Sequence, residues 1–143
     1  MLTQAEADTL IAMDKRFAQS KTITLLPGSD QTHELIGSAD RERFLLDLWR
    51  GTLRLTKLKY QTRGRKAIVL VRLDIDGAPH TNPDGQRLGG THVHVYREGY
   101  EDRWAFTPDP ADFRNPSDMQ RTFRDFCDYC HILDPPAWQG GLP

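Results

Sequence analysis

The chain is predicted to fold as an α+β domain: an antiparallel sheet of about six strands, flanked by an N-terminal and a C-terminal helix. Three observations predict it. Apolar residues recur at helical spacing near both ends, the middle alternates apolar and polar residues with the period of a strand, and most of the alternating segments are joined by connections of hairpin length. With 143 residues, 38% hydrophobic and 27% charged, the chain has the length and balance of one compact domain over 1–143. The Pro/Gly-rich end, 135–143, is expected to be an irregular tail.

Thr3 and Glu6 form a capping box, in which a hydroxyl and a carboxylate satisfy the backbone donors left open at a helix start. Leu10, Ile11, Met13 and Phe17 follow at helical spacing, so the first helix is predicted over 4–18. Strands are expected over 21–26 and 33–37. The segment 43–50 suits a buried strand or a short helix, and its length favours the strand. Further strands are read over 53–62 and, after a turn at Gly64, over 66–76. In the latter Ala67, Val69, Val71, Leu73 and Ile75 share the core face, and Arg72, Asp74 and Asp76 project from the other. Asn82-Pro83-Asp84-Gly85 has the residues of a type I turn. Strands over 91–97 and 102–106 precede a helix capped by Ser117, whose stripe is Met119, Phe123, Phe126, Cys127 and Cys130.

No run approaches the roughly 20 apolar residues of a membrane helix, and the start lacks the basic and apolar regions of a secretory signal. A cytoplasmic protein without membrane partners is therefore expected. Cys127 and Cys130 suggest no disulfide framework. Cys127-Asp-Tyr-Cys130-His131 matches the c-type haem attachment pattern, but both cysteines continue an apolar helical stripe, where free cysteine packs as a small hydrophobe. No cofactor is expected.

The formal net charge is −1, yet its distribution is uneven. Between residues 41 and 72, Lys and Arg far outnumber Glu42 and Asp47. The basic block makes Arg54, Lys57, Lys59, Arg63, Arg65 and Lys66, with Arg97 further on, candidates for holding RNA or another nucleic acid, with Tyr60 as a stacking surface. A solvated pair of strands with basic outer faces is the plainer alternative.

Three of the five histidines fall near one strand. Val93 and Val95 take its apolar side, so His92, His94, Tyr96 and Glu98 share the other. If this strand neighbours 66–76, Arg72 and Asp74 join that face and the long loop carries His80 to it. His92, His94, His80, Arg72, Asp74 and Tyr96 are thus the candidate catalytic residues. As general acid and base with Arg72 or Arg97 stabilising a pentavalent phosphorus, they suit RNA cleavage without metal. As ligands, His92, His94 and Glu98 resemble the first metal motif of the cupins, with His80 an extra donor, but a later cupin-type segment is missing. As structure, they form a hydrogen-bonded network fixing the loop to the sheet.

Arg72-Leu-Asp74-Ile-Asp-Gly77, Pro79-His80, Asn82-Pro-Asp-Gly85, His92-Val-His94-Val-Tyr96-Arg-Glu-Gly-Tyr100 and Trp104-Ala105 resemble the signature of a small uncharacterised bacterial family, over 44–132. More loosely, the Arg-x-Asp, Pro-His and His-x-His elements are similar to small toxin-antitoxin proteins suspected of acting on RNA. That resemblance implies a toxin-type ribonuclease partnered by an antitoxin. A non-enzymatic inhibitor from a phage or mobile element, binding nucleic-acid machinery or an acidic target protein, remains the alternative.

Overall fold

The centre of the fold is an antiparallel meander of three strands, β3 (Arg43–Arg50), β4 (Leu58–Gly64) and β5 (Ile68–Ile75). The computed structural model describes residues 1–39 and 41–139. Around the meander lie α1 (Gln4–Ala12), β1 (Lys15–Phe17), β2 (Asp30–Gly37), β6 (His80–Thr81), β7 (Arg87–Leu88), β8 (His92–Val95), β9 (Ala105–Phe106), α2 (Met119–Tyr129) and β10 (Ile132–Leu133). Eight strands form one sheet in the order β10-β1-β2-β3-β4-β5-β8-β9, and β6 and β7 make a separate ribbon. The β1–β10 pair is parallel, so the sheet is mixed and larger than the six antiparallel strands expected. The difference comes from β1 and β10, strands of three and two residues, too short to show a period.

One face of the sheet carries the core. Leu46 and Leu48 of β3, Tyr60 and Thr62 of β4, and Val71 and Leu73 of β5 are buried there in register. Phe123 and Phe126 of α2 pack on Tyr60 with ring centroids 5.8 and 5.9 Å away. Each such aromatic contributes roughly 1.5–3 kcal/mol through burial. Lys15 fastens the two ends of the chain together: its ammonium donates to the carbonyls of Ile11, Met13 and Cys130 and lies 4.7 Å from the Phe44 ring centre.

Several expected boundaries move. The first helix ends at Ala12, because Lys15 to Phe17 pair with β2 and β10, and strand pairing outweighs the helical spacing of Phe17. Residues 21–26 form no strand; Ile23 makes a single bridge to Trp138. The strand expected from residue 53 begins at Leu58, after turns. In β5 the strict alternation breaks at a bulge between Thr62 and Arg63, which lets Leu70 rather than Val69 enter the core. The second helix is capped by Asp118, whose side chain accepts from the Arg121 amide, while Ser117 bonds Asn115. Of the expected irregular tail 135–143, residues 140–143 lie outside the described residues. The capping box at Thr3, the strand over 43–50 and the turn at residues 82–85, closed by Gly85 N–H to Asn82 O at 2.8 Å, form as expected.

Candidate metal centre

The sheet's outer face is organised in rows that cross the strands. One runs Thr32, Asp47, Gln61, Arg72, His94, and the next runs Asp30, Trp49, Lys59, Asp74, His92. Alternation along β5 and β8, with Arg72 opposite His94 and Asp74 opposite His92, places these four side chains together.

His80 arrives from the β6–β7 ribbon, which is held at two points. Gly77 N–H donates to Gly90 O at 2.9 Å across the base of the loop, and a Cβ on Gly90 would stand 2.3 Å from Gly77 O. The Asn82 side chain makes a two-way bond to the backbone of Ala105, with lengths of 2.9 and 2.8 Å. The three imidazoles therefore pack as a trio, with ring centres 4.7 Å (His80–His94), 4.8 Å (His92–His94) and 5.4 Å (His80–His92) apart. One ring nitrogen from each lies within 4.8 Å of those of the other two.

The hydrogen-bond partners assign the protons. His94 Nδ1 faces the Asp102 carbonyl at 2.8 Å and donates to it, and its Nε2 lies 3.0 Å from Arg72 Nη2, which can only donate, so Nε2 accepts there. His92 faces two acceptors, Gly89 O at 2.8 Å and Asp74 Oδ2 at 3.1 Å, an arrangement that favours the imidazolium. Burial opposes that charge, but the Asp74 carboxylate and the Gly89 carbonyl outweigh it and raise the His92 pKa. For Asp74 burial likewise opposes ionisation, but the hydrogen bond from His92 and the Arg72 charge outweigh it and hold its carboxyl well below the usual range. His80 donates from Nε2 to Arg103 O at 2.9 Å, and its Nδ1 makes no hydrogen bond among the described residues.

Each histidine thus spends one ring N–H on a backbone carbonyl and keeps its second nitrogen on the side of the cluster. Metal-ligating histidines have this outer bonding, which fixes tautomer and ring orientation. Two buried polar atoms in the same place, Arg72 Nε and Asp74 Oδ1, lack a hydrogen bond although 3.3 Å apart. They form an ion pair without hydrogen-bond geometry beside the histidines. His92 and His94 are nearly closed off, at 2% and 1% exposure, and His80 is half-buried, so access is from the His80 side.

Tyr96 and Glu98 do not join the cluster. The strand ends at Val95, and Tyr96 enters the core, its hydroxyl bonding both N–H (2.9 Å) and C=O (2.8 Å) of Leu2. Glu98 accepts from the Gln4 amide at 2.7 Å, at the start of α1. Tyr60 is fully buried and offers no stacking surface; Trp49 does, half-buried with the Lys57 and Lys59 ammoniums 5.7 and 5.4 Å from its ring centre. Arg54, Arg63 and Arg65 are paired with Asp76, Asp47 and Glu42, Arg97 lies 4.0 Å over Trp104, and Lys66 closes the β4–β5 turn with positive φ. The contributions of Gly89, Asp102 and Arg103 were invisible in the sequence because their backbone carbonyls do the holding. Both cysteines are free and buried, and burial pushes the Cys130 thiol up to about 12.

No helix among the described residues is long and apolar enough to cross a membrane. Comparison with curated proteins and with solved structures gives no match. A family model described as "Family of unknown function (DUF6978)" matches residues 2–132, and the chain belongs to that family.

Proposed function

We propose that the protein binds a divalent transition-metal ion through His80, His92 and His94. The observation that carries this reading is the bonding of all three imidazoles through one ring nitrogen to the carbonyls of Arg103, Gly89 and Asp102, with the remaining nitrogens clustered. With His92 Nε2 releasing its proton to make room for the ion, three imidazole nitrogens suit Zn, Ni, Co, Cu or Fe(II) over Mg or Ca. Asp74, bonded to His92 and paired with Arg72, would serve as an anion balancing the ion's charge. A three-histidine site leaves a coordination position open, and an ion there supplies Lewis acidity or an activated water. The replacement of Glu98 by His80 as third ligand separates this reading from the cupin pattern.

Dialysis of metal-stripped protein against zinc, followed by elemental analysis, tests it. One equivalent retained by the wild type and lost in His80→Ala is the expected result; an empty wild type, with no stabilisation by Mn, Fe, Ni or Zn, overturns it.

A second reading, a ribonuclease acting without metal, is favoured by the row in which Trp49 with its two lysines leads through Lys59 and Asp74 to His92. Strands about 4.8 Å apart put Trp49 roughly 14 Å from His92, a span of two or so nucleotides. Its weakness is proton supply, since His80 Nδ1 is the only unengaged imidazole nitrogen of the trio. RNA cut in EDTA, and not by His92→Ala or His94→Ala, supports it; RNA bound but uncut supports a binding protein or inhibitor.

A further inference from the structure

A second place in the molecule combines a buried charge with empty space. On the core side of the sheet, a cavity of about 310 Å³ is walled by Leu55, Leu58, Ile75, Met119 and Arg50. Arg50 ends β3 and is 3% exposed. Its Nη1 donates to Leu25 O at 3.0 Å and its Nε to Leu55 O at 3.1 Å. Nη2 donates to no group, and no carboxylate pairs with the guanidinium, among the described residues.

Lys15, the other buried cation, also bonds only carbonyls, but there three carbonyls meet all three donors. Arg63 and Arg72, both more exposed, each have an acid, as does Arg54. A guanidinium is always charged and carries five N–H donors, so two neutral carbonyls leave its charge without a counter-ion and Nη2 available to a ligand in the cavity. Asp76 at the rim is already neutralised by Arg54 at 3.2 Å and bonded by the Thr56 hydroxyl, so it does not serve Arg50.

We propose that this cavity binds a small organic carboxylate, with its anionic head on Arg50 and its apolar body against Leu55, Leu58 and Ile75. The volume sits at the low end of small-molecule sites, roughly 300–1,000 Å³, which limits the ligand to a compact acid. An inorganic anion would leave the apolar walls unused, and an uncharged ligand would leave the guanidinium unmatched. The site is separate from the histidines: it opens on the core side of β5, and they stand on the outer side.

The test titrates the full chain with acetate, hexanoate and benzoate, and with hexanol and benzyl alcohol as uncharged controls, by calorimetry and by thermal unfolding. Hexanoate or benzoate should bind saturably and raise the unfolding midpoint, with the matching alcohol weaker by about tenfold or more. Arg50→Lys should lose about tenfold in affinity through loss of the planar fork. Since that variant risks the fold, Leu55→Trp is the second: the side chain is 48% exposed, the Arg50 bond uses the Leu55 carbonyl, and the indole should fill the cavity and abolish binding with the unfolding midpoint intact. Carboxylates binding no better than alcohols, no binding by any of the three acids, or undiminished binding in Leu55→Trp would each overturn the proposal.

Discussion

Arg72 stands between two roles at the histidine cluster. It neutralises Asp74 and Asp102, and its Nη2 occupies the one lone pair that His94 has to offer. An ion must displace that bond and tolerate a neighbouring cation, so Arg72→Gln should tighten zinc binding by about tenfold. A trio with a purely structural role would show weak or absent zinc binding in both proteins, which competition against a chromophoric chelator distinguishes. Asp74→Ala should act on the metal-free protein, because it strands a buried imidazolium; a loss of about 3 kcal/mol in urea unfolding is expected. Lys15 makes a separate residue-scale prediction. Burial pulls its amine down to about 8 from an ordinary value of 10.5. Between those values the unfolded chain keeps a proton that the folded chain has released, so stability rises with pH there, by at most about 3 kcal/mol. Below about pH 8 both states are protonated and the cost of the buried ammonium is present in full. Unfolding free energies of wild type and Lys15→Met should therefore diverge in slope only between pH 8 and 10.5, and parallel curves would contradict the assignment.

Among the elements, β5, β8 and the β6–β7 ribbon build the centre, and α1 only braces it. Tyr96 links α1 to the sheet through two bonds to Leu2. Tyr96→Phe should cost about 1–3 kcal/mol of stability by orphaning buried backbone groups, and should leave metal affinity unchanged; a loss of affinity would return Tyr96 to the site. Gly90→Ala should do the reverse, spreading the loop base that carries His80 and weakening metal binding while the sheet survives. How much of this was legible in the sequence follows from period and length. The alternation of Val71 with Leu73 and of Val93 with Val95 sufficed to put Arg72, Asp74, His92 and His94 on one face, because two adjacent strands of period two determine it. Alternation misplaced Tyr96, since nothing local says that a strand stops at Val95. It misplaced Val69 because a bulge adds one residue without a sequence mark. Trp49 falls within the segment 43–50 expected as a buried strand, and Lys59 reaches it through register with β4.

Across the whole molecule, the sheet separates two chemistries. Its core side is covered by α1 and α2, and the parallel β1–β10 pair at one edge joins the two ends of the chain. Its outer side is polar and carries the histidines beside the Trp49 lysines. A metal that binds only the folded state should stabilise it by mass action, about 2.7 kcal/mol at a hundredfold excess over Kd. Thermal unfolding with and without zinc should show that gain in the wild type and not in His94→Ala.

The most direct measurement is X-ray absorption at the metal edge of protein loaded with one equivalent of zinc. Three imidazoles with Zn–N near 2.0–2.1 Å, falling to two in His80→Ala, is the predicted result. A first shell of oxygen alone, or an imidazole count unchanged by His80→Ala, would contradict the account.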